Sequence, residues 1–351
     1  LQHDSRLQEG ANGQYLHPHK FFTTQGVFTA GLNFEDSQIN VGLDSRVGRM
    51  PVAPLTKALA RITNGAGYVQ ETVSLMHGKV QLTGGLRADS FRFSVNGEAQ
   101  TDAKWQPKAS VAYTPTQRVP LTLYLNYGRG ISSADARGIV QRPELPKIAT
   151  TDFYQFGLSH RVRRFSWSND FFWIDRSNEQ VYIADDGSFE FKGPSRSYGY
   201  ETKAAVSLTG HLSLNGGLTK VVNAFYMGTK PRIYVDSAPH FVANAGLTVS
   251  SWRGWSGSVR MRAIDHYRLD GEDPTIRATG HTVFDVGVER SLKKWLDVNF
   301  TVDNALNRAY YETQNYFESR LAGEDPQFRI HGTPGYPRTL MAGFTFHLTP
   351  R

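Results

Sequence analysis

The feature that most limits what this chain can fold into is a rhythm of connections. Stretches of about ten or more residues with period-2 alternation recur from end to end. The segments between them alternate in length, about two to five residues and then about nine to thirty, against a usual median of about four to six. The pattern is clearest at the C-terminal end. Leu296, Val298, Phe300 and Val302 alternate with Asp297, Asn299, Thr301 and Asp303. After a long polar, aromatic-rich segment from Asn304 to Pro337, Leu340, Ala342, Phe344, Phe346 and Leu348 alternate with Thr339, Met341, Gly343, Thr345 and His347. Each run predicts a strand with one apolar and one polar face.

Residues 1–18 are polar, and alternation begins near Phe21 and runs to Phe34. A tight turn is predicted at Glu35-Asp36-Ser37, then a strand over 39–46 and a longer connecting segment over 48–65. Strands follow at 68–76 and 80–89 around His77-Gly78-Lys79, and a loop is predicted over 95–104. Later strands fall at 105–113, 121–127, 151–162, 165–183, 195–209, 212–223, 239–250, 255–266, 281–290, 295–303 and the terminal run. Long connections are predicted at 132–150, from Asp185 to Pro194, and over 224–238, 267–280 and 304–337. Counted this way there are about fifteen strands, each long enough to cross a bilayer at a tilt. Short turns on one side and long loops on the other are the asymmetry of an outer-membrane barrel. A soluble sandwich or propeller has no reason to keep that phase. The expected fold is therefore all-β: a transmembrane antiparallel up-and-down β-barrel, with residues 1–351 as one domain.

Composition agrees. Mean hydropathy is −0.43 and no apolar run approaches eighteen residues, so no membrane-spanning helix is expected. That test is blind to a barrel, in which only every second residue meets lipid. Charges on the polar faces, such as Arg87 with Asp89, Arg260 with Arg262, and Asp285 with Glu289, must face a wet interior. At mid-depth on the lipid side each would cost about 2–4 kcal/mol. Aromatics gather near strand ends, at Phe153, Tyr154, Trp173, Trp252, Trp255, Trp295, Tyr310 and Tyr311, as in two interfacial girdles. There is no cysteine, which removes disulfides and thiolate chemistry. The net charge of +7 is scattered, and the lack of a dense Lys/Arg run argues against nucleic-acid binding.

Two C-terminal motifs are more specific. Asn304-Ala305-Leu306-Asn307-Arg308-Ala309-Tyr310-Tyr311-Glu312-Thr313 resembles the asparagine and Tyr-Tyr segment near the end of TonB-dependent receptor barrels. Gly335-Tyr336-Pro337-Arg338-Thr339 followed by Gly343-Phe344-Thr345-Phe346 resembles that family's closing motif. Ile174-Asp175-Arg176-Ser177-Asn178-Glu179-Gln180-Val181-Tyr182-Ile183 and Tyr198-Gly199-Tyr200-Glu201 resemble its mid-barrel hairpin. The resemblance implies a barrel of about 22 strands around an N-terminal plug. The 351 residues, which open on Leu1 rather than Met, would then be the C-terminal part of the barrel, without plug or TonB box. It implies a transporter, not an enzyme, of the outer membrane of a Gram-negative cell. Such a protein binds a scarce ligand, siderophore-iron, cobalamin or similar, and imports it with energy from the TonB-ExbB-ExbD complex acting on the plug. It also implies contact with outer-membrane lipid and lipopolysaccharide and with the barrel-assembly machinery. Gly343, Phe344, Phe346 and Leu348 keep the spacing of the assembly signal, although Thr349-Pro350-Arg351 stand where relatives commonly end on an aromatic. The alternative is a passive porin-like channel or a surface adhesion barrel.

Candidate ligand contacts lie in the long loops. Arg129, Arg137 and Arg142 suit an anionic ligand, and Tyr316, Phe317 and Arg320 suit one with apolar and anionic parts. Gly271-Glu272-Asp273-Pro274, Gly323-Glu324-Asp325-Pro326 and Asp185-Asp186 are expected to be turn chemistry, with a hard-cation site as the alternative. His3, His17 and His19 are expected to be solvated rather than metal-binding. No resident cofactor or metal is expected. There is no H-E-x-x-H, P-loop or dinucleotide fingerprint, and Gly157-Leu158-Ser159-His160 lacks the second glycine of a nucleophile elbow.

Overall fold

The computed structural model describes residues 2–22, 24–47, 50–116, 120–133, 144, 146–183, 188–320 and 323–348. Its strands are β1 (Gln2–Phe21), β2 (Thr24–Val47), β3 (Met50–Leu75), β4 (Val80–Val95), β5 (Glu98–Tyr113), β6 (Leu121–Ser133), β7 (Ile148–Val162), β8 (Phe165–Ile183), β9 (Ser188–Ser207) and β10 (Leu212–Tyr226). They continue as β11 (Phe241–Trp252), β12 (Trp255–Ile264), β13 (Tyr267–Arg268), β14 (Arg277–Ala278), β15 (His281–Lys293), β16 (Leu296–Asp303), β17 (Tyr311–Ser319), β18 (Gln327–Pro334) and β19 (Thr339–Phe346). Fifteen of them form one sheet in chain order, while β13–β14 and β17–β18 are separate two-stranded hairpins set into its long connections. Contacts divide the chain into two compact units. One comprises Leu1–Pro115, Leu123–Phe156 and Trp173–Arg196, and the other Thr116–Thr122, Gly157–Phe172 and Ser197–Arg351.

In the second unit the alternation becomes rows across the sheet, because directly paired residues share a face. Leu214, Leu247, Val259, Val286, Val302 and Leu340 are successive partners across β10, β11, β12, β15, β16 and β19. The adjacent row on the other face reads Ser213, Thr248, Ser258, Gly287, Thr301 and Met341. The apolar row is largely exposed, with Leu247, Val259 and Leu340 all open to the surroundings. The expected polar-face charges also meet: Arg262 reaches Asp285 at 3.5 Å.

In the first unit the faces exchange character along the strands. On β2, Phe28, Ala30, Leu32 and Phe34 share one face and Thr29, Gly31, Asn33 and Glu35 the other. Beyond Phe34 the apolar face turns polar, in the paired row Asp36, Thr63, Arg92 and Thr101. The formerly polar face turns apolar at the same level. Ile39, Val41, Ala58 and Ala60 form one buried cluster with Ile62 and Val95 against it. Phe93, 1% exposed, and Ile148 form another with Phe91 and Ile131. Below the exchange lie the polar side chains of the wall. Asp89 accepts from Arg87 Nε at 2.6 Å and Nη2 at 2.8 Å, from Asn64 at 3.2 Å and from Gln106.

Four expectations fail in this unit, all for one reason. The polar residues 1–18 are most of β1, and Glu35-Asp36-Ser37 is no turn but mid-strand. Residues 50–65, expected in a connecting segment, are the first half of β3. The expected loop over 95–104 shrinks to the two-residue turn Asn96-Gly97, where both residues have positive φ, 52° and 97°. The strands here run on past the apolar face as paired hairpins, so polar side chains occupy regular strand positions. Pairing satisfies the backbone, on both sides at Glu35-Asp36-Ser37 and from the β2 side along β1, and Asp36 is held by Arg61 at 2.9 Å and Thr63 at 2.6 Å rather than by a turn. As a result the long-and-short phase holds for the connections at 227–240, 265–280 and 304–338 but not between β1 and β5, where every connection is short. The sheet does hold fifteen strands, with β1 replacing one and β2 uniting the two predicted on either side of Glu35. Similarly, residues 188–194, expected in a loop, already belong to β9.

The row assignment is tested by adjacent substitutions. Val259→Arg, on the apolar face, should lower the stability of the intact protein in lipid vesicles by about 2–4 kcal/mol. Ser258→Arg, one residue away on the polar face, should leave it nearly unchanged. Urea unfolding of the two variants compares them, and equal losses would refute the assignment.

Candidate functional site

The excursion over 304–338 is closed at its base by two asparagines. Asn304 follows β16 with φ of 48° and is 2% exposed. Its Nδ2 donates to the carbonyls of Arg308 at 2.8 Å and Tyr336 at 3.0 Å, and its Oδ1 accepts from the Arg308 N–H at 2.8 Å. Its own N–H donates to Asp285 Oδ1 at 3.0 Å. Asn307, with φ of 51°, accepts from the Arg338 N–H at 3.0 Å. Asparagine tolerates this left-handed backbone better than most residues. The Asn304 side chain therefore ties the two ends of the excursion together, and its backbone N–H ties them to β15.

The tyrosines complete the closure. A Cβ at Gly335 would come within 2.2 Å of the Tyr310 ring, and one at Gly332 within 2.5 Å of the Tyr311 ring. Each ring thus needs a glycine opposite. The Tyr310 ring lies 4.5 Å from that of His281, and its hydroxyl donates to Glu312 at 2.7 Å. Burial and that hydrogen bond hold the Tyr310 hydroxyl above its ordinary pKa. Farther up, Gln314 is buried and its Nε2 donates to the Thr279 carbonyl at 3.1 Å, fixing the β17–β18 hairpin to the neighbouring connection. Beneath the closure lies a cavity of about 940 Å³ in the polar face, lined among others by Asn244, Arg260, Arg262, Asp285 and Tyr310.

Three of the sequence-predicted contacts share the hairpin. Tyr316 and Phe317 are on β17, and Arg320 follows it, exposed. The Tyr316 ring lies 5.4 Å from Phe328, and Phe317 stacks on His331 at 4.0 Å. Phe328 and Ile330 are exposed. Arg129 lies in the other unit. Its guanidinium is engaged by Asp152 at 2.8 and 2.9 Å, and Tyr127 donates to the same carboxylate at 2.8 Å. Arg137, Arg142, Asp185 and Asp186 lie outside the described residues. Among the C-terminal positions, Phe344 and Phe346 are exposed beside Val298 and Leu296, Gly343 pairs with Asn299, and Leu348 is fully exposed.

The acidic loop motifs have local uses. Asp270 Oδ1 accepts from the N–H groups of Glu272 at 2.7 Å and Asp273 at 3.0 Å, and Asp273 Oδ1 accepts from the Thr275 N–H at 2.8 Å and hydroxyl at 2.6 Å. Glu324 pairs with Arg329. Among the described residues no group of three or more His, Asp or Glu side chains is arranged to hold a metal ion. The His17 ring stacks between those of Tyr15 and His19 along β1, and His19 approaches Glu71 at 3.5 Å. Asn304, Gln314 and Gly335 were not picked out from the sequence as site residues. Asn304 and Gly335 nonetheless stand in the two quoted motifs, whereas nothing local marks Gln314.

Asn304→Ala would strand the Arg308 and Tyr336 carbonyls and the Arg308 N–H. We expect opening of 304–338 to become easier by about 2–3 kcal/mol, read as faster hydrogen exchange across that segment alone. At Asp273 the hydroxyl and N–H of Thr275 depress the carboxyl pKa. A depressed pKa contributes stability above the unfolded-state value, lost as pH falls through the folded one. Thr275→Val should therefore raise the Asp273 pKa toward the ordinary carboxylate value, as followed by NMR titration, and make the loop loosen at higher pH on acidification.

The sequence profile of the family described as "TonB dependent receptor-like, beta-barrel" matches residues 2–305. No curated protein matches the chain in sequence. Among solved structures, the ferric-catecholate import receptor Fiu from K12 E. coli in its closed form is similar with a TM-score of 0.76 at 17% identity, covering 98% of this chain and 55% of that one. The copper transporter OprC gives 0.73 at 15%, covering 98% and 57%. P. aeruginosa FpvA bound to a heterologous pyoverdine gives 0.78 at 12%, covering 98% and 48%. At such identities the likeness shows the fold, and the chain spans about half the length of these structures. With its chain-order antiparallel sheet, its exposed apolar rows and its polar opposite face, the chain belongs to the TonB-dependent receptor β-barrel family.

Proposed function

We propose that this chain forms the ligand-gathering side of an outer-membrane barrel that imports a scarce metal chelate, a ferric siderophore first among the candidates, with energy supplied through TonB. The observation that carries this reading is the β17–β18 hairpin. It presents Tyr316, Phe328 and Ile330 together, with the exposed Arg320 just after β17, on a base held by Asn304 and Gln314. Aromatic faces grip the apolar parts of a chelate, and a guanidinium meets its anionic oxygens. A rigid base matters because a site that is already ordered loses less entropy on binding. Fiu is described as a ferric-catecholate import receptor and OprC as a copper transporter, which favours metal-linked cargo. In this reading the polar wall encloses a plug on which the TonB-ExbB-ExbD complex acts, and the apolar rows meet the lipid of a Gram-negative outer membrane. The barrel-assembly machinery reads the β19 terminus through Gly343, Phe344, Phe346 and Leu348.

A strain lacking the gene should lose growth on at least one ferric chelate supplied as sole iron source, with cobalamin and copper supplies tested in parallel. Wild-type protein should restore growth. The combined variant Tyr316→Ala, Phe317→Ala and Arg320→Ala should insert normally yet bind the cargo at least about tenfold more weakly, since a few aromatic and arginine contacts carry most of a binding energy. Equal growth of the deletion strain on every supply would defeat the reading.

A further inference from the structure

We propose that the short-turn end of the second unit is a basic rim that docks a polymer bearing free carboxylates, of the kind that the peptide-substituted glycan of the cell wall presents beneath an outer membrane. This rests on the membrane reading above, which puts the short turns in the periplasm. The turns at 163–164, 208–211, 253–254 and 294–295 lie at one end of the sheet, because they close every second connection of its antiparallel order. Turns two strands apart are spaced about 10 Å, so the row is roughly 30 Å long. Backbone hydrogen bonds join each turn to the next. The Ser207 N–H donates to the Arg164 carbonyl at 2.8 Å, the Ser250 N–H to the His211 carbonyl at 2.8 Å, and the Ser291 N–H to the Gly254 carbonyl at 3.0 Å. The rim is therefore a fixed row rather than four independent loops.

Its charge has one sign. Arg161, Arg163, Arg164, Arg253, Lys293 and Lys294 are exposed there, and none makes an ion pair among the described residues. No Asp or Glu occurs in 159–167, 206–213, 250–257 or 290–296. Glu289 lies farther in on β15, and Asp297 is buried against His347 at 2.7 Å. The opposite end of the unit is mixed: Asp265, Asp270, Glu272 and Asp273 share one connection with Arg268 and Arg277. Like charges held in a row raise one another's energy, and a polyanion laid along the row relieves it. The two sides of the rim favour a polymer over a lipid headgroup layer. On the apolar side the same level is taken by the exposed rings of Trp252, Trp255 and Trp295. The positive charge instead continues onto the polar side. There Arg161 lines a recess of about 620 Å³ with Ser159, Ser166, Ser168, Lys203 and Asn215. Lys203 is held by Glu201, which leaves Arg161 as the open cation of the recess. Hydroxyl and amide groups around one free guanidinium suit a sugar or peptide branch that ends in a carboxylate.

The test is co-sedimentation of the intact protein, purified in detergent, with isolated cell-wall sacculi. The wild type should pellet with native sacculi and not with sacculi whose carboxylates have been amidated. The combined variant Arg163→Gln, Arg164→Gln, Lys293→Gln and Lys294→Gln should bind at least about tenfold more weakly. Raising salt from about 0.05 to about 0.5 M should release the wild type. Lys230→Gln, at the opposite end, should bind as the wild type does. If the combined variant does not fold, the pair Lys293→Gln and Lys294→Gln is read in the same way, with an expected loss of at least about threefold. Equal binding by wild type and variant, or binding that survives amidation, would overturn the proposal. So would displacement of the wild type from sacculi by phosphatidylglycerol vesicles, which would mark a headgroup site. Capture by polyglutamate but not by sacculi would assign the rim to an acidic protein segment instead. No cargo enters this assay, so its failure leaves the uptake reading standing, and failure of the growth test leaves sacculus binding standing.

Discussion

An unpaired backbone amide or carbonyl in hydrocarbon costs several kcal/mol, and that single constraint accounts for most of this molecule. A chain without a long apolar helix can cross a membrane only as strands that hydrogen-bond their neighbours. The sheet takes its fifteen strands in chain order because sequential antiparallel neighbours need the shortest connections. Given that lattice, the period of two does the sorting. Rows such as Leu214 to Leu340 lie on one face and rows such as Ser213 to Met341 on the other.

The exchange of faces in β2–β4 marks where one solvent ends. Up to Phe34 the apolar side is the exposed one, and beyond it that side carries the exposed Arg61 and Arg92, while on the other side Ile39 and Val41 pack in one buried cluster and Phe93 and Ile148 in another. A strand that continues from lipid into water must reverse its pattern in this way, because the dry side is then the one packed against other strands. Length that other parts of the chain spend in long connections is spent here in paired strand. The upper part of this unit is accordingly a wall with its own core.

The C-terminal excursion solves a different problem. Thirty-odd residues leave the sheet between Asn304 and Thr339 and must return to the same place. A long flexible loop loses more entropy on closure. Asn304 and Asn307 shorten the effective loop by pinning its ends, and Tyr310 over Gly335 and Tyr311 over Gly332 lock the pinned chains face to face. The two motifs that resemble the family are thus the two halves of one closure, separated in sequence and joined through a buried side chain.

Much of this was legible in the residues. Alternation alone located most strands from β6 onward and said which side of each would be apolar, since a one-residue slip would put every side chain on the wrong face. It also located the connections that carry the two inserted hairpins. It failed at residues 1–18, at Glu35-Asp36-Ser37 and over 50–65, where polar composition resembles a loop but cross-strand partners satisfy the backbone. Asn96-Gly97 is a strong local turn signal, masked by the polar residues around it, which resemble a longer loop. Of the site, Tyr316, Phe317 and Arg320 could be found from residue type, whereas Gln314 holding Thr279 and Asn304 holding Tyr336 could not. The sequence by itself determined the period of the strands, the character of their faces and the family. Only the tertiary structure decided where the faces exchange and which distant groups meet at the closure, because those depend on pairing across many strands, and no local pattern encodes its partner.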